Sequence, residues 1–315
     1  MEQKEIDFLK TQNITVKQSI AKGGFDEVFL VYSSQYKSDF ALKKIQTKRF
    51  NRAEVECLKA IDHVNIMNLY KYFYFDGCVY LLTEYCPFDL YHLLKEKGSL
   101  SEDLLQKYCL QIVSSIKACH DHNIAHNDIK PSNFLLDKYG RIKACDFGIS
   151  TIFKSEPTSS SSKGTLLFMA PEMLAEKKHN PLKADIWALG VTLFYLATRT
   201  YPFLASDSKL LLKVINDGGV PLKAVSNPLL RNVIARCLEY DPNTRADVNE
   251  LLEMPYFNSG CNETKVNHVG SSISPFHPII KPKIAYDSKL GLSHLSLIPS
   301  RRPPSLSNIH SNNTH

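Results

Sequence analysis

The hydrophobic pattern changes period near Pro87, and this change dictates a chain built of two unlike parts. Before it, short segments rich in β-branched and aromatic residues recur at 14–20, 27–32, 39–45, 69–75 and 78–84, with Gly, Ser and Asp separating several of them. These read as strands. One interruption, 52–61, places Val55, Leu58 and Ile61 at three-residue spacing and predicts a helix packed on the sheet. After Pro87 the spacing is helical. Leu104, Leu105, Tyr108, Ile112 and Ile116 make one face of 102–120, with Ser101 as its N-cap. Segment 184–197 is apolar almost all round and predicts a helix buried in the domain centre. Amphipathic stretches follow at 208–215, 228–238 and 245–252. The expected class is α+β: a small sheet with one helix at about 14–85, then a larger, mainly helical part at about 87–257.

Composition shifts again at residue 258. The stretch 258–315 is rich in Ser, Pro, Asn and His and nearly free of acids, so a mostly disordered tail is expected. Two apolar islands, 279–280 and 290–297, interrupt it. The formal charge of +6 is modest, and basic residues cluster only in pairs such as Lys43-Lys44, Lys177-Lys178 and Arg301-Arg302. No nucleic-acid partner is expected from that pattern. None of the eight cysteines (Cys57, Cys78, Cys86, Cys109, Cys119, Cys145, Cys237, Cys261) forms a C-x-x-C pair. They read as buried thiols of a reducing compartment, and the expected location is the cytoplasm or the nucleus. Residues 1–10 lack the apolar core of a signal peptide, and no stretch approaches the roughly 18 apolar residues of a membrane span.

The chemistry concentrates between His126 and Glu172. The run His126-Asn127-Asp128-Ile129-Lys130-Pro131-Ser132-Asn133 is followed by Asp146-Phe147-Gly148 and then Ala170-Pro171-Glu172. Phosphoryl transfer needs a carboxylate to orient the incoming hydroxyl, oxygen ligands for Mg²⁺ and a cation to offset transferred charge. Asp128, then Asn133 with Asp146, then Lys130 supply those types in that order. An Asp-Phe-Gly triplet alone is usually only a turn; the ordered set is the informative signal. Over about residues 14–257 the sequence closely resembles the eukaryotic protein kinase family, serine/threonine-type. The large lobe is loosely like the calcium/calmodulin-dependent kinase group.

The resemblance implies a two-lobed fold, with a small antiparallel N-lobe sheet plus one helix and a larger helical C-lobe. ATP and Mg²⁺ would sit between the lobes, and the γ-phosphate would pass to Ser or Thr hydroxyls of a protein substrate. Asp128 would be the base, Lys130 would offset equatorial charge, and Asn133 and Asp146 would hold the metal. Lys43, in Phe40-Ala41-Leu42-Lys43, would bind the α- and β-phosphates, and Lys44 would face away, because strand neighbours point to opposite faces. Glu54, nine residues before His63, would pair with Lys43; Glu56, on a different helix face, is its rival. Ile20-Ala21-Lys22-Gly23-Gly24-Phe25-Asp26-Glu27-Val28 aligns with the glycine-rich loop, with Ala21 and Asp26 at the first and third glycine positions and Gly23 at the centre. Ala21 is tolerable at negative φ. Asp26 is unfavourable beside a polyphosphate unless it turns to solvent or pairs with a lysine.

In the hinge-like run 81–86, the backbone of Glu84 and Cys86 would bond the adenine edge and Thr83 would control the pocket behind it. Val28, Ala41 and Leu135 would sandwich the ring, with Ile20 at the start of the loop above. Asp89 would bind ribose hydroxyls, cap the helix beginning near Leu90, or both. Leu58, Leu69, His126 and Phe147 match the stack linking the lobes, Asp185 the anchor of the catalytic loop, and Glu172 with Arg245 a buried ion pair. Lys130 and Thr165 resemble the serine/threonine branch. Ser132 stands where kinases favouring basic substrates often carry an acid, so strong basic selectivity is not expected.

Asn127 stands where many family members carry the arginine that receives a loop phosphate, so less dependence on loop phosphorylation is expected. Ser155, Thr158 and residues 159–162 read as a flexible serine-rich loop or as modification sites. Arg301-Arg302-Pro303-Pro304-Ser305 reads as solvated tail or as a target of a basic-directed kinase. Two other functions stay open: a pseudokinase scaffold, motivated by Ala21, Asp26 and Asn127, and a small-molecule kinase of the same fold. No physiological substrate or upstream regulator is legible.

Overall fold

The structure, a computed structural model, describes residues 1–22, 26–161 and 163–258. Helix α1 (Gln3–Thr11) leads into β1 (Ile14–Lys22), β2 (Asp26–Ser33) and β3 (Ser38–Gln46). Helix α2 (Arg52–Ala60), β4 (Leu69–Phe75) and β5 (Cys78–Glu84) complete the N-terminal lobe. The five strands form one sheet in the order β1-β2-β3-β5-β4, every pair antiparallel.

Strand alternation decides what each face does. Phe40 and Leu42 of β3 are buried in an outer cluster with Leu9 of α1, while Ile45 joins the main core on the opposite face. A one-residue slip in the β2–β3 register, Val28 opposite Lys43 and Leu30 opposite Ala41, would exchange those faces.

Helix α1 was not legible as an element, because few of its nine residues are apolar. What holds it is tertiary. Leu9 is fully buried, and the Phe8 ring stacks on Phe75 at 4.1 Å. Glu5, also buried, accepts the Glu2 N–H at 2.7 Å and bonds from the Tyr80 hydroxyl and the Lys44 ammonium. Burial pushes the Glu5 carboxyl up, but the bonds from Lys44 and Tyr80 outweigh it and hold the pKa down at about 2. A depressed carboxyl contributes stability above its unfolded pKa, near 4.3, and that contribution fades as pH falls through the folded value. Glu5→Gln should therefore lower stability by about 1–3 kcal/mol at pH 7. The gap from wild type should shrink between about pH 5 and pH 2, read by denaturant melts. A constant gap across that window would show that the charge is not what matters.

The C-terminal lobe opens with β6 (Phe88–Asp89), α3 (Leu90–Lys97) and α4 (Glu102–His120). Short strands β7 (Ile124–Ala125), β8 (Phe134–Leu136), β9 (Ile142–Ala144) and β10 (Thr151–Ile152) follow. The helices α5 (Pro171–Leu174), α6 (Pro181–Thr198), α7 (Ser208–Gly218), α8 (Pro228–Cys237), α9 (Val248–Leu252) and α10 (Pro255–Asn258) complete it. Helix α6 is buried nearly all round, as its apolar run predicts. It begins at Pro181, earlier than the apolar run, because Asn180 accepts the N–H groups of Leu182 and Lys183. Gly190 lies at its middle because α8 leaves no room: a Cβ there would stand 2.6 Å from that of Cys237. Helix α9 begins at Val248 and not at residue 245, since Asp247 and Glu250 form a capping box there.

The expected tail lies, from residue 259 onward, outside the described residues, as does Cys261. The seven described cysteines are free thiols. Among the described residues no helix is long and apolar enough to cross a membrane.

Candidate functional site

Between the sheet and the helical lobe lies a cleft of about 520 Å³. It is lined by Ile20, Val28, Ala41, Lys43, Glu54, Thr83, Glu84, Cys86, Asp89, Asn133, Leu135 and Asp146, residues drawn together from between positions 20 and 146 of the sequence. Gly23, the remaining candidate nucleotide contact, lies outside the described residues. Val28 and Ala41 come from the roof strands and Leu135 from β8 below.

Lys43 is the electrostatic centre of the roof. Its Nζ lies 2.9 Å from Glu54 Oε1 and 3.0 Å from Asp146 Oδ1. Burial alone would lower the Lys43 pKa, but the charges of Glu54 and Asp146 overcome this and raise it, so the ammonium is charged. Burial pushes the Glu54 carboxyl up against the pull of Lys43. Asp146 goes the other way: burial opposes ionisation, yet Lys43 holds its carboxyl below the usual range. Glu56, the rival, instead pairs with exposed Arg52 at 3.0 Å. Lys44 points to α1, as strand parity requires.

Asp26 turns inward, resolving the alternatives left by the sequence. Its Oδ2 stands 3.5 Å from Lys43 Nζ. The register explains this: Asp26 sits opposite Ile45 and Val28 opposite Lys43, so Asp26 and Lys43 are diagonal neighbours on the cleft face. Three carboxylates thus surround one ammonium.

The floor is one hydrogen-bonded knot. Asp128 Oδ1 accepts the Thr165 hydroxyl at 2.8 Å, and Asp128 Oδ2 lies 2.8 Å from Lys130 Nζ. Lys130 also donates to Thr165 at 2.9 Å. Asn133 Nδ2 donates to the Asp128 carbonyl at 2.7 Å and to its carboxylate at 2.9 Å. Both amide protons of Asn133 are thereby committed, which leaves its oxygen as a ligand. That donor set, one amide oxygen with the Asp146 carboxylate, suits a hard divalent cation such as Mg²⁺.

Buried groups hold this floor in place. Asp185 on α6 accepts the backbone N–H of His126 at 2.8 Å and of Asn127 at 2.9 Å. His120 at the end of α4 closes on the same carboxylate at 3.1 Å. No local pattern announced His120, since its partner is distant in sequence. His126 is fully buried, its ring 4.9 Å from that of Phe147, and Leu58 and Leu69 are buried in the same core as Phe147. Asn127 and Asp146 adopt positive φ, 65° and 61°, a strained backbone for non-glycine residues that Asp185 and Lys43 help to hold. The Asn127 amide donates to the Ile149 carbonyl at 2.9 Å and to Thr151 Oγ1 at 3.2 Å, both in the segment after Asp146.

At the hinge, the Glu84 N–H is already taken by the Asn68 carbonyl at 3.1 Å. Only the Glu84 carbonyl can then serve an adenine edge, and the Glu84 side chain points away to Lys143 at 2.9 Å. Asp89 caps α3 by accepting the His92 N–H at 2.8 Å while still lining the cleft, so it stands where either expected role can be played.

A family model described as a protein kinase domain matches residues 14–257. Serine/threonine protein kinase OSK3 of Oryza sativa subsp. indica is 31% identical over 217 residues, which cover 69% of this chain and 43% of that protein. Serine/threonine-protein kinase 36 of Pongo abelii is 32% identical over 249 residues, covering 76% of this chain and 19% of the relative. The carbon catabolite-derepressing protein kinase of Candida glabrata is 27% identical over 259 residues, covering 80% and 42%. The chain spans less than half the length of these curated relatives.

Proposed function

Since this chain belongs to the protein kinase family, we propose that it is an active serine/threonine kinase that transfers the γ-phosphate of Mg-ATP to hydroxyls of protein substrates. One observation carries the reading: Lys43 is clamped between Glu54 and Asp146 while Asp128, Lys130 and Thr165 are knotted together on the floor. Such preorganisation is what transfer to a bound hydroxyl requires.

In the proposed step the substrate hydroxyl oxygen attacks the γ-phosphorus. The bond from that phosphorus to the bridging oxygen breaks, ADP departs, and the hydroxyl proton passes to Asp128. Lys130 offsets charge on the transferred group, and Lys43 holds the α- and β-phosphates. Asn133 and Asp146 would hold Mg²⁺, which when bound neutralises phosphate charge. Val28, Ala41 and Leu135 take the adenine ring. Asn127 supports the segment after Asp146 by neutral hydrogen bonds, which favours activity without loop phosphorylation.

The test is transfer of labelled phosphate from Mg-ATP to a generic protein substrate, with Asp146→Ala as the inactive control. Label that persists in the variant would refute the assignment.

The scaffold alternative has one specific observation behind it, the Asp26 carboxylate facing Lys43. An acid there competes with phosphate for the ammonium. Asp26→Gly should accordingly tighten ATP binding about tenfold, the scale of one partly screened charge contact, while adenosine binding stays unchanged. Calorimetric titration with both ligands checks this; equal gains for adenosine would rule out the electrostatic cause.

A further inference from the structure

Helix α2 begins at Asn51, whose side chain is used at both ends. Its Oδ1 accepts the Ala53 N–H at 3.1 Å, the N-cap bond of the helix. Its Nδ2 donates to the Gly148 carbonyl at 3.1 Å. An N–H faces one end and a carbonyl the other, so the residue must carry an acceptor and a donor together, as an amide does.

The two segments joined this way carry the two acids that hold Lys43. Glu54 lies in the first turn of α2, its N–H bonded to the Asn51 carbonyl at 3.0 Å. Gly148 follows Asp146 by two residues and lies against both acids: a Cβ added to it would stand 3.3 Å from Asp146 Oδ1 and 3.7 Å from Glu54 Oε2. Moving α2 away from residue 148 would therefore separate Glu54 from Asp146 and break the clamp on Lys43.

We propose that Asn51 is a positioning residue: a neutral latch between α2 and the segment after Asp146 that keeps Glu54 and Asp146 together on Lys43. The inference rests on the kinase reading of the same site. It adds that an uncharged amide, beside the ion pairs of Lys43, joins the two segments of the roof.

Capping and latching can be separated. Asn51→Ser and Asn51→Asp keep an N-cap acceptor and lose the donor that reaches Gly148. In the full chain both are expected to melt close to wild type. Both should lower kcat about tenfold, the worth of one hydrogen bond, with a smaller change in the KM for ATP. Both should also speed amide hydrogen exchange at 148–152 while α2 stays protected, a readout that needs no catalysis. Wild-type kcat and wild-type exchange in Asn51→Ser would overturn the latch. So would a loss confined to Asn51→Asp, since the added charge would then be the cause. A wild-type chain without phosphoryl transfer would sink the kinase reading, while the exchange comparison would still decide the latch.

Discussion

Asp128→Asn should reduce phosphoryl transfer by about 10²–10⁴-fold, the usual contribution of a positioned general base, and leave nucleotide affinity within about twofold. The substitution keeps shape and removes both the charge and one acceptor. In the native knot, Oδ1 accepts from Thr165 while Oδ2 meets Asn133 at 2.9 Å and Lys130 at 2.8 Å. An amide can satisfy Thr165 through its oxygen, but its NH₂ would then face two donors. The hydroxyl proton of the substrate would also have no carboxylate to receive it. Nucleotide binding depends on the opposite wall, where Lys43, Val28 and Ala41 are untouched. Steady-state transfer and fluorescent-nucleotide titration separate the effects. Undiminished kcat would show that the base lies elsewhere.

Several placements were legible because they depend on local rules. The family resemblance singled out Lys43 and Glu54, while strand parity and helix-face position said that Lys44 and Glu56 could not share their places. The change of period at Pro87 forecast the two parts of the fold, and the apolar run forecast buried α6. What stayed hidden depends on partners far along the chain. The direction of Asp26 follows from cross-strand register, which composition does not state. Asn51 carries no motif, and its link to the Gly148 carbonyl, 97 positions away, exists only in the fold. His120 is silent until α6 brings Asp185 to it, and α1 has too little apolar surface to declare itself without the outer face of the sheet.

These misses share a cause that bears on function. Apart from Asp26, each hidden residue joins two segments, and each sits behind a residue the motifs did reveal. Glu5 and Tyr80 lie behind the strand carrying Lys43, Asn51 behind Glu54 and Asp146, His120 behind the backbone of Asn127. Motifs report groups that would meet substrate, whereas the supports can be drawn from any segment that happens to pack nearby.

The largest stability effect is expected at Arg245, which is almost wholly buried. Its guanidinium meets Glu172 in a fork, at 2.7 Å and 3.0 Å. The remaining N–H groups reach the carbonyls of Lys183 at 2.7 Å, Glu239 at 2.9 Å and Tyr240 at 3.2 Å. The group also lies 5.2 Å from the Trp187 ring centroid. Arg245 thus ties α5, α6 and the turn before α9 at one point. Arg245→Ala should cost about 3–5 kcal/mol, because it strands a buried Glu172 charge as well as three carbonyls. For a domain of this size that is roughly a 10 °C fall in melting temperature. Arg245→Lys should recover only part of it, since an ammonium cannot make the planar fork. Glu172→Met combined with Arg245→Leu should melt above Arg245→Ala, because removing both charges leaves none unpaired. Thermal unfolding of the three variants checks the order, and an Arg245→Lys chain as stable as wild type would refute the role of the fork.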